Sequence, residues 1–498
     1  MFDKLIQYLV TRAGREYSAG SRALATVLGR SFMTQHPWVF AALLGGITFY
    51  LCADLFAIFS GRAWYADGSW WFVRLLRDQK PYLSWASREF GEGFLQMPVF
   101  WAIKSGIRNL PTLSFLFSAP LFLHLFLSLW LCAWAAGRKN LRYLLFPLIS
   151  LFAGSMNGSM VIVAEGLLMV SLYWALLFFI LFCESFNFWK ASIFAVMAFV
   201  SFRTYESMAY LGMILGALAI WRSCREEKNP FSRAIWIFIA FWFFTGALIA
   251  MQSIIAPSCP QNFEGFKNGF FSVINLGLLG KHPMLFLSLV AILFLSAMPF
   301  MAGKSGRRIF SFSFWVFCPF AVFLGFIPLF FPGWVHPATH YQMRGFYCFL
   351  PVPLTFVLLG LRAFPQFQKR RSWVRGFMIV AVLACAQITW HVFATMQWRK
   401  YCSAFCDSLA SHKGIIPFKQ TQLTPEALMK RGVVDMGWTW TYQLLSVLLT
   451  PGGKVRAIIE YLPMGPSSKR KWAFNARHPA KRPDLSAYGI VYEIEDDK

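Results

Sequence analysis

Runs of about 20 apolar residues recur along this chain, each long enough to cross the hydrocarbon of a bilayer as a helix. The first is Trp38 to Ser60, and others follow at about 112–136, 143–164, 166–183, 190–206, 208–221, 234–256, 284–302, 309–331, 344–361 and 376–396. Together they make 11 candidate spans, and that succession confines the chain to a bundle of membrane helices. Composition agrees, since 57% of the 498 residues are hydrophobic and only 14% are charged. An average soluble domain carries about a quarter charged residues, so soluble, disordered and collagen-like classes are excluded.

The loops give a direction. Arg138, Lys139 and Arg142, then Arg222, Arg225, Lys228 and Arg233, then Lys304, Arg307 and Arg308, then Arg362, Lys369, Arg370, Arg371 and Arg375 fall on one side of the alternation. The positive-inside rule makes that side cytoplasmic. A net charge of +25 therefore reads as topology and contact with lipid phosphate, with no nucleic acid as partner. Residues 1–37, with Phe2, Leu5, Ile6 and Leu9 at helical spacing among lysine and arginine, read as an amphipathic cytoplasmic segment on the membrane surface. The transmembrane domain is expected over 38–396, with a long extracytoplasmic first loop at 61–111. The turn Phe202 to Ser207, the segment 257–283 and the loop Pro332 to Arg344 fall on the same outer side.

The tail from 397 to 498 is expected outside as a small α/β appendage. Thr424-Pro425-Glu426 has the hydroxyl and proline of a helix start, and Gly432 marks a stop. Val455 to Tyr461 and Tyr488 to Glu495 are β-rich runs, with Pro451-Gly452-Gly453 as a turn. The ten cysteines form no CxxC pair. Cys259, Cys402 and Cys406 fall on the outer side, where a disulfide can form, but spacing does not select its partners.

The first loop carries an ordered set of signals. Tyr65-Ala66-Asp67-Gly68-Ser69 follows the first span, Trp70 to Leu76 is amphipathic, Lys80-Pro81-Tyr82 is a turn, and Glu89-Phe90-Gly91-Glu92 leads to Gln96-Met97-Pro98-Val99-Phe100 at the next helix. This order resembles the GT-C superfamily of polytopic, polyprenyl-phosphate-sugar-dependent glycosyltransferases, in the branch of protein O-mannosyltransferases and bacterial lipid A aminoarabinose transferases. The resemblance covers about the first hundred residues by motif and the rest by topology. It implies an all-α polytopic membrane protein, a polyprenyl-phosphate-linked sugar donor, a lipid, glycan or protein acceptor, and an inverting transfer on the extracytoplasmic side of a bacterial-type plasma membrane. Family members often carry two neighbouring acids and His-Pro-Pro where this chain has Asp67-Gly68-Ser69 and Gln96-Met97-Pro98. A lone carboxylate is a poor divalent-cation site, so a metal is expected only if Glu89 or Glu92 joins Asp67.

Asp67 is the candidate catalytic base, because a carboxylate at the membrane edge can accept the proton of an acceptor hydroxyl as the glycosyl phosphate departs. The bland alternative is a solvated aspartate in an Asp-Gly turn. Asp54 lies inside the first span, where a carboxylate is costly, and is expected to face a cavity or a basic partner. Arg203 and Glu206, three apart between two spans, either pair with each other or serve the carrier's phosphate, with Glu206 orienting the guanidinium. In GT-C enzymes outer arginines hold that phosphate, and Arg344 is the second candidate by position. His336, His340 and Tyr341 precede it. The histidine spacing suits zinc on a helix, but Pro337 disfavours the helix, and lining of the outer cavity is the expected role. Glu165 and Glu184 are read as markers of the ends of an apolar run.

Two other functions use the same features. A transporter or flippase for lipid-linked saccharides would line its path with these arginines, and an O-antigen polymerase or ligase would share carrier and topology. Transport predicts internal repeats or broken helices at matching positions, and none is visible in the sequence.

Overall fold

The computed structural model describes residues 37–83, 87–155, 164–225, 230–256, 347–363, 370–434, 436–437, 441–460 and 482–494. The leader before Pro37, the runs 284–302 and 309–331, Cys259, and the candidates His336, His340, Tyr341 and Arg344 lie outside the described residues.

The described chain is mostly helical. Helix α1 is Pro37–Phe59, followed by a single 3₁₀ turn at Arg62–Trp64. The first loop folds into α2 (Asp67–Asp78) and α3 (Glu89–Lys104). The bundle continues with α4 (Leu110–Asn140), α5 (Leu145–Ser155), α6 (Ala164–Phe182), α7 (Phe188–Ser201), α8 (Met208–Arg225), α9 (Pro230–Ile255), α10 (Pro351–Ala363) and α11 (Arg370–Ala410). Starts follow local chemistry. The Asn109 and Asn187 side chains accept from the amides of Thr112 and Lys190 at the first turns of α4 and α7.

Within α4, α6 and α9, the segments Leu110–Gly137, Glu165–Phe182 and Pro230–Ile255 are long and apolar enough to cross a membrane, with mean hydropathies of 1.9, 2.0 and 2.2. They differ in what surrounds them. The α6 span is 94% buried, against 44% for α4 and 33% for α9, so α6 is the central post and the other two present wide apolar faces outward. Helices α8 and α9 pack closely at Gly212 and Gly216. A methyl at Gly212 would stand 3.0 Å from the Phe243 carbonyl and one at Gly216 would stand 2.7 Å from the Phe244 ring.

Helix α11 continues 14 residues past the expected span end at 396. Its polar continuation keeps Trp398, Tyr401, Phe405 and Leu409 on one buried stripe, with spacing of three or four. The stripe carries the tail. Strand β1 (Gly414–Pro417) pairs in parallel with β3 (Ala457–Glu460), and β2 (Lys454–Val455) pairs in parallel with β4 (Val491–Tyr492). Helices α12 (Pro425–Lys430) and α13 (Tyr442–Leu448) complete it. Thr424 Oγ1 caps α12, and Gly432 follows the helix in the left-handed region at φ 63°, as the sequence indicates. The tail docks on the first loop. Tyr488 Oη donates to the Leu76 carbonyl at 3.0 Å, and the Arg108 guanidinium lies over the Tyr488 ring.

Candidate functional site

Two polar clusters interrupt the apolar bundle. The first sits where α3 meets the turn after α7. The amides of Phe90 and Gly91 both donate to the Arg203 carbonyl, at 3.0 and 3.3 Å, so the turn seats on the first exposed amides of α3. Gly91 permits this approach, because a methyl there would lie 2.9 Å from Thr204 Cγ2.

This seating crosses the charges over. Arg203 and Glu206 each take a partner from beyond the turn. Arg203 Nη1 donates to Glu89 Oε2 at 2.6 Å, and Glu206 Oε1 accepts from Arg88 Nε at 2.8 Å and from Ser87 Oγ at 3.2 Å. The local i,i+3 pair is thereby corrected. The backbone leaves helical geometry at 202–207, and the start of α3 takes both side chains, Arg203 on Glu89 and Glu206 on Arg88 just before the helix. Arg88 Nη1 also lies 3.9 Å from Glu165 Oε1, at the head of α6, and its guanidinium stands over the Tyr205 ring. Glu165 is therefore more than an end marker: it is 5% exposed and belongs to this cluster. Burial opposes the charge on Arg88, but Glu206, Tyr205 and Glu165 outweigh it and hold its pKa well above the ordinary value.

Two guanidiniums thus face three carboxylates. Arg203 is the less saturated of the two. It gives one N–H to Glu89, while its Nε is buried with no acceptor among the described residues. A guanidinium has five donors, so part of its fork remains for an anionic ligand.

Asp67 opens α2 and is partly buried. The Asp-Gly turn is corrected. Gly68 is in the helix, and a methyl there would fall 1.7 Å from the Ala63 carbonyl, so glycine is required by close backbone contact. Ala66, just before it, holds φ at 50°, a region that L residues rarely adopt. Strained backbone thus directly precedes the candidate base.

The remaining first-loop signals are positioned by hydrogen bonding and stacking. Gln96 Nε2 donates to the Tyr82 carbonyl at 2.8 Å while its Oε1 accepts from the Tyr82 amide at 2.9 Å, a two-point hold that ties the Pro-Tyr turn to α3. Arg74 lies over the rings of both Trp70 and Tyr82, which meet edge to face. Glu92 is fully buried on α3. Among the described residues no group of three histidine, cysteine or acidic side chains gathers to hold a metal. Cys402 and Cys406, one turn apart on α11, are free thiols.

The second cluster joins α1 to α11. Arg62 Nη1 donates to the His391 carbonyl at 3.0 Å and to Thr395 Oγ1 at 2.7 Å, and Nη2 lies 3.0 Å from His391 Nδ1. Arginine only donates, so Nδ1 is the acceptor and the imidazole proton is on Nε2, 2.8 Å from Asp54 Oδ1. Asp54 therefore has the basic partner that its position demands. Burial pulls the Arg62 guanidinium down to about 10, with Asp54 opposing that shift. Sequence reasoning did not single out Arg62, Arg88 or His391. Only the cost of Asp54 signalled that such partners had to exist.

The chain matches no protein-family model, no curated protein and no solved structure.

Proposed function

We propose that the chain is a polytopic membrane glycosyltransferase of the GT-C kind, which moves a sugar from a polyprenyl-phosphate carrier to an acceptor on the extracytoplasmic side. The carrying observation is Arg203, whose donor fork is only partly used at the rim where the first-loop helix meets the bundle. A phosphate leaving group is the anion best matched to that planar fork. In this reading Arg203 and Arg344 hold the phosphate and Asp67, at the head of α2, accepts the acceptor's proton. Glu89 keeps Arg203 oriented in the absence of carrier, and Glu206 holds Arg88 beside it.

The direction of the helices supports an odd number of crossings, with which 11 agrees. Gly46 faces Ala384, Asp54 meets His391, and the Ser60 carbonyl accepts from Trp398 Nε1, so α1 and α11 run parallel. First and last spans run parallel only in an odd-numbered set. The docking of Tyr488 on Leu76 also supports the same side for tail and first loop.

The test is transfer by purified protein from a polyprenyl-phosphate sugar, read as release of polyprenyl phosphate. Asp67→Asn should lower turnover by about 10²–10⁴-fold with carrier binding retained, because asparagine cannot accept the proton. Near wild-type turnover in that variant sinks the assignment. Asp54→Asn should lower stability more than turnover.

A further inference from the structure

At the opposite end of the bundle from Arg203 lies a cleft of ≈ 280 Å³ between the end of α4, the end of α6 and the start of α7. Lys139, Asn140, Ser185 and Lys190 give it polar walls, while Trp134 and Phe182 give it apolar ones. Gly137 makes the opening. At φ 57° and ψ 178° it breaks the helical geometry of α4, so the last residues of α4 depart from the line of the helix axis. Lys190 lies in the first turn of α7, and its ammonium stands 5.5 Å from the Trp134 ring centre.

The depth of the cleft is marked independently. Phe188 and Trp189, beside Lys190, are 76% and 68% exposed, and Trp130, one turn before Trp134 and stacked on it, is 56% exposed. Exposed tryptophan at the end of an apolar helix is the signature of the headgroup layer. The cleft therefore combines cations, hydrogen-bond donors and an aromatic wall at one level. Arg222 and Arg362 are taken up elsewhere, because they donate to backbone carbonyls at the end of α6.

We propose that this cleft binds the phosphate headgroup of an anionic phospholipid, with Lys139 and Lys190 on the phosphate, Asn140 and Ser185 on headgroup hydroxyls, and an acyl chain along Trp130 and Trp134. Two lysines against Glu184 leave one net positive charge in the cleft. This favours an anionic headgroup over a zwitterionic one. The inference rests on the bundle being membrane-embedded and is independent of the transferase chemistry.

The experiment is native mass spectrometry of the detergent-purified full chain with phosphatidylglycerol, phosphatidylcholine or inorganic phosphate. Wild type should retain phosphatidylglycerol over phosphatidylcholine, and that preference should fall about fivefold for each of Lys139→Gln and Lys190→Gln. Glu184→Gln should raise it, a gain that misfolding does not produce. Equal retention of the two lipids, or no change in any of the three variants, overturns the proposal. Inorganic phosphate displacing phosphatidylglycerol at matched concentration overturns the lipid assignment in favour of a free anion. Resistance of the chain to alkaline extraction from membranes, measured in parallel, separates failure of this site from failure of the membrane reading.

Discussion

The two ends of α6 use arginine in opposite ways. At its head, Glu165 and Glu206 surround Arg88, so charge meets charge. About 26 Å away along the helix, at 1.5 Å per residue, Arg222 donates to the carbonyls of Phe179, Ile180 and Cys183, and Arg362 donates to that of Leu181. There charge meets the unpaired acceptors of a helix end. Both arrangements suit the helix dipole, with an acid at the first turn and cations at the last. They differ in what is left behind when the arginine is removed. A carboxylate left alone in a buried site has no neutral form at pH 7 without a large shift, whereas a helix-end carbonyl can turn to water.

The largest effect should therefore come from Arg88→Leu. It strands Glu206 and Glu165 together in a buried site, and loss of one partner of such a cluster costs about 3–5 kcal/mol. Thermal unfolding in detergent should show this as a marked fall in the transition temperature, partly restored by adding Glu206→Gln. A change below about 1 kcal/mol would mean that solvent reaches the cluster as freely as it reaches a surface pair. Alkaline pH should not mimic the mutation. Arg88 has its pKa raised in the folded state, so its contribution is complete below the ordinary guanidinium pKa and fades only above it.

Arg222→Ala should cost less, about 1–3 kcal/mol. The freed carbonyls lie beside the polar cleft at the end of α6, where water can replace the guanidinium. Arg222→Lys should recover part of the loss, because a single ammonium cannot serve three carbonyls as the planar fork does. The same thermal transition measures both. A loss equal to that of Arg88→Leu would erase the distinction between the two ends.

Much of this contrast was hidden in the sequence. The apolar runs that became α4, α6, α8 and α9 were legible, because hydropathy reports directly on a segment that must satisfy its own backbone in lipid. The capped start at Thr424, the stop at Gly432 and the turn at 202–207 were legible from local chemistry. The end of α11 was not. A hydropathy window closes at 396, while the helix continues on an amphipathic stripe that buries against the tail instead of lipid. In the candidate site, Glu89, Arg203 and Glu206 were visible as costly charges near apolar runs, but their pairing was not. Partners more than a hundred residues apart are chosen by the docking of α3 on the turn, which depends on Gly91 and on two backbone amides. Arg62, Arg88 and His391 went unnoticed for the same reason. Each is ordinary in its own segment and acquires meaning only from a residue brought across the bundle.

The smallest effect sharpens the comparison at the head of α6 itself. Glu165 approaches Arg88 at 3.9 Å, whereas Glu206 accepts a hydrogen bond from it at 2.8 Å. Glu165→Gln keeps the shape and removes one of two negative charges beside one positive charge. It loses attraction to Arg88 and to the helix head, each worth a fraction of a kcal/mol to about 1 kcal/mol, and it relieves the repulsion between Glu165 and Glu206. These terms oppose one another, so the net loss should be below about 1 kcal/mol. Glu206→Gln gains the same relief but loses more, because the direct charge-assisted bond goes with the charge, and about 1.5–3 kcal/mol is expected. A double-mutant cycle between each glutamate and Arg88→Leu reads the difference, with the larger coupling on Glu206. If the two couplings come out equal, the 3.9 Å pair is as strong as the bonded one and Arg88 is shared evenly between α6 and the turn.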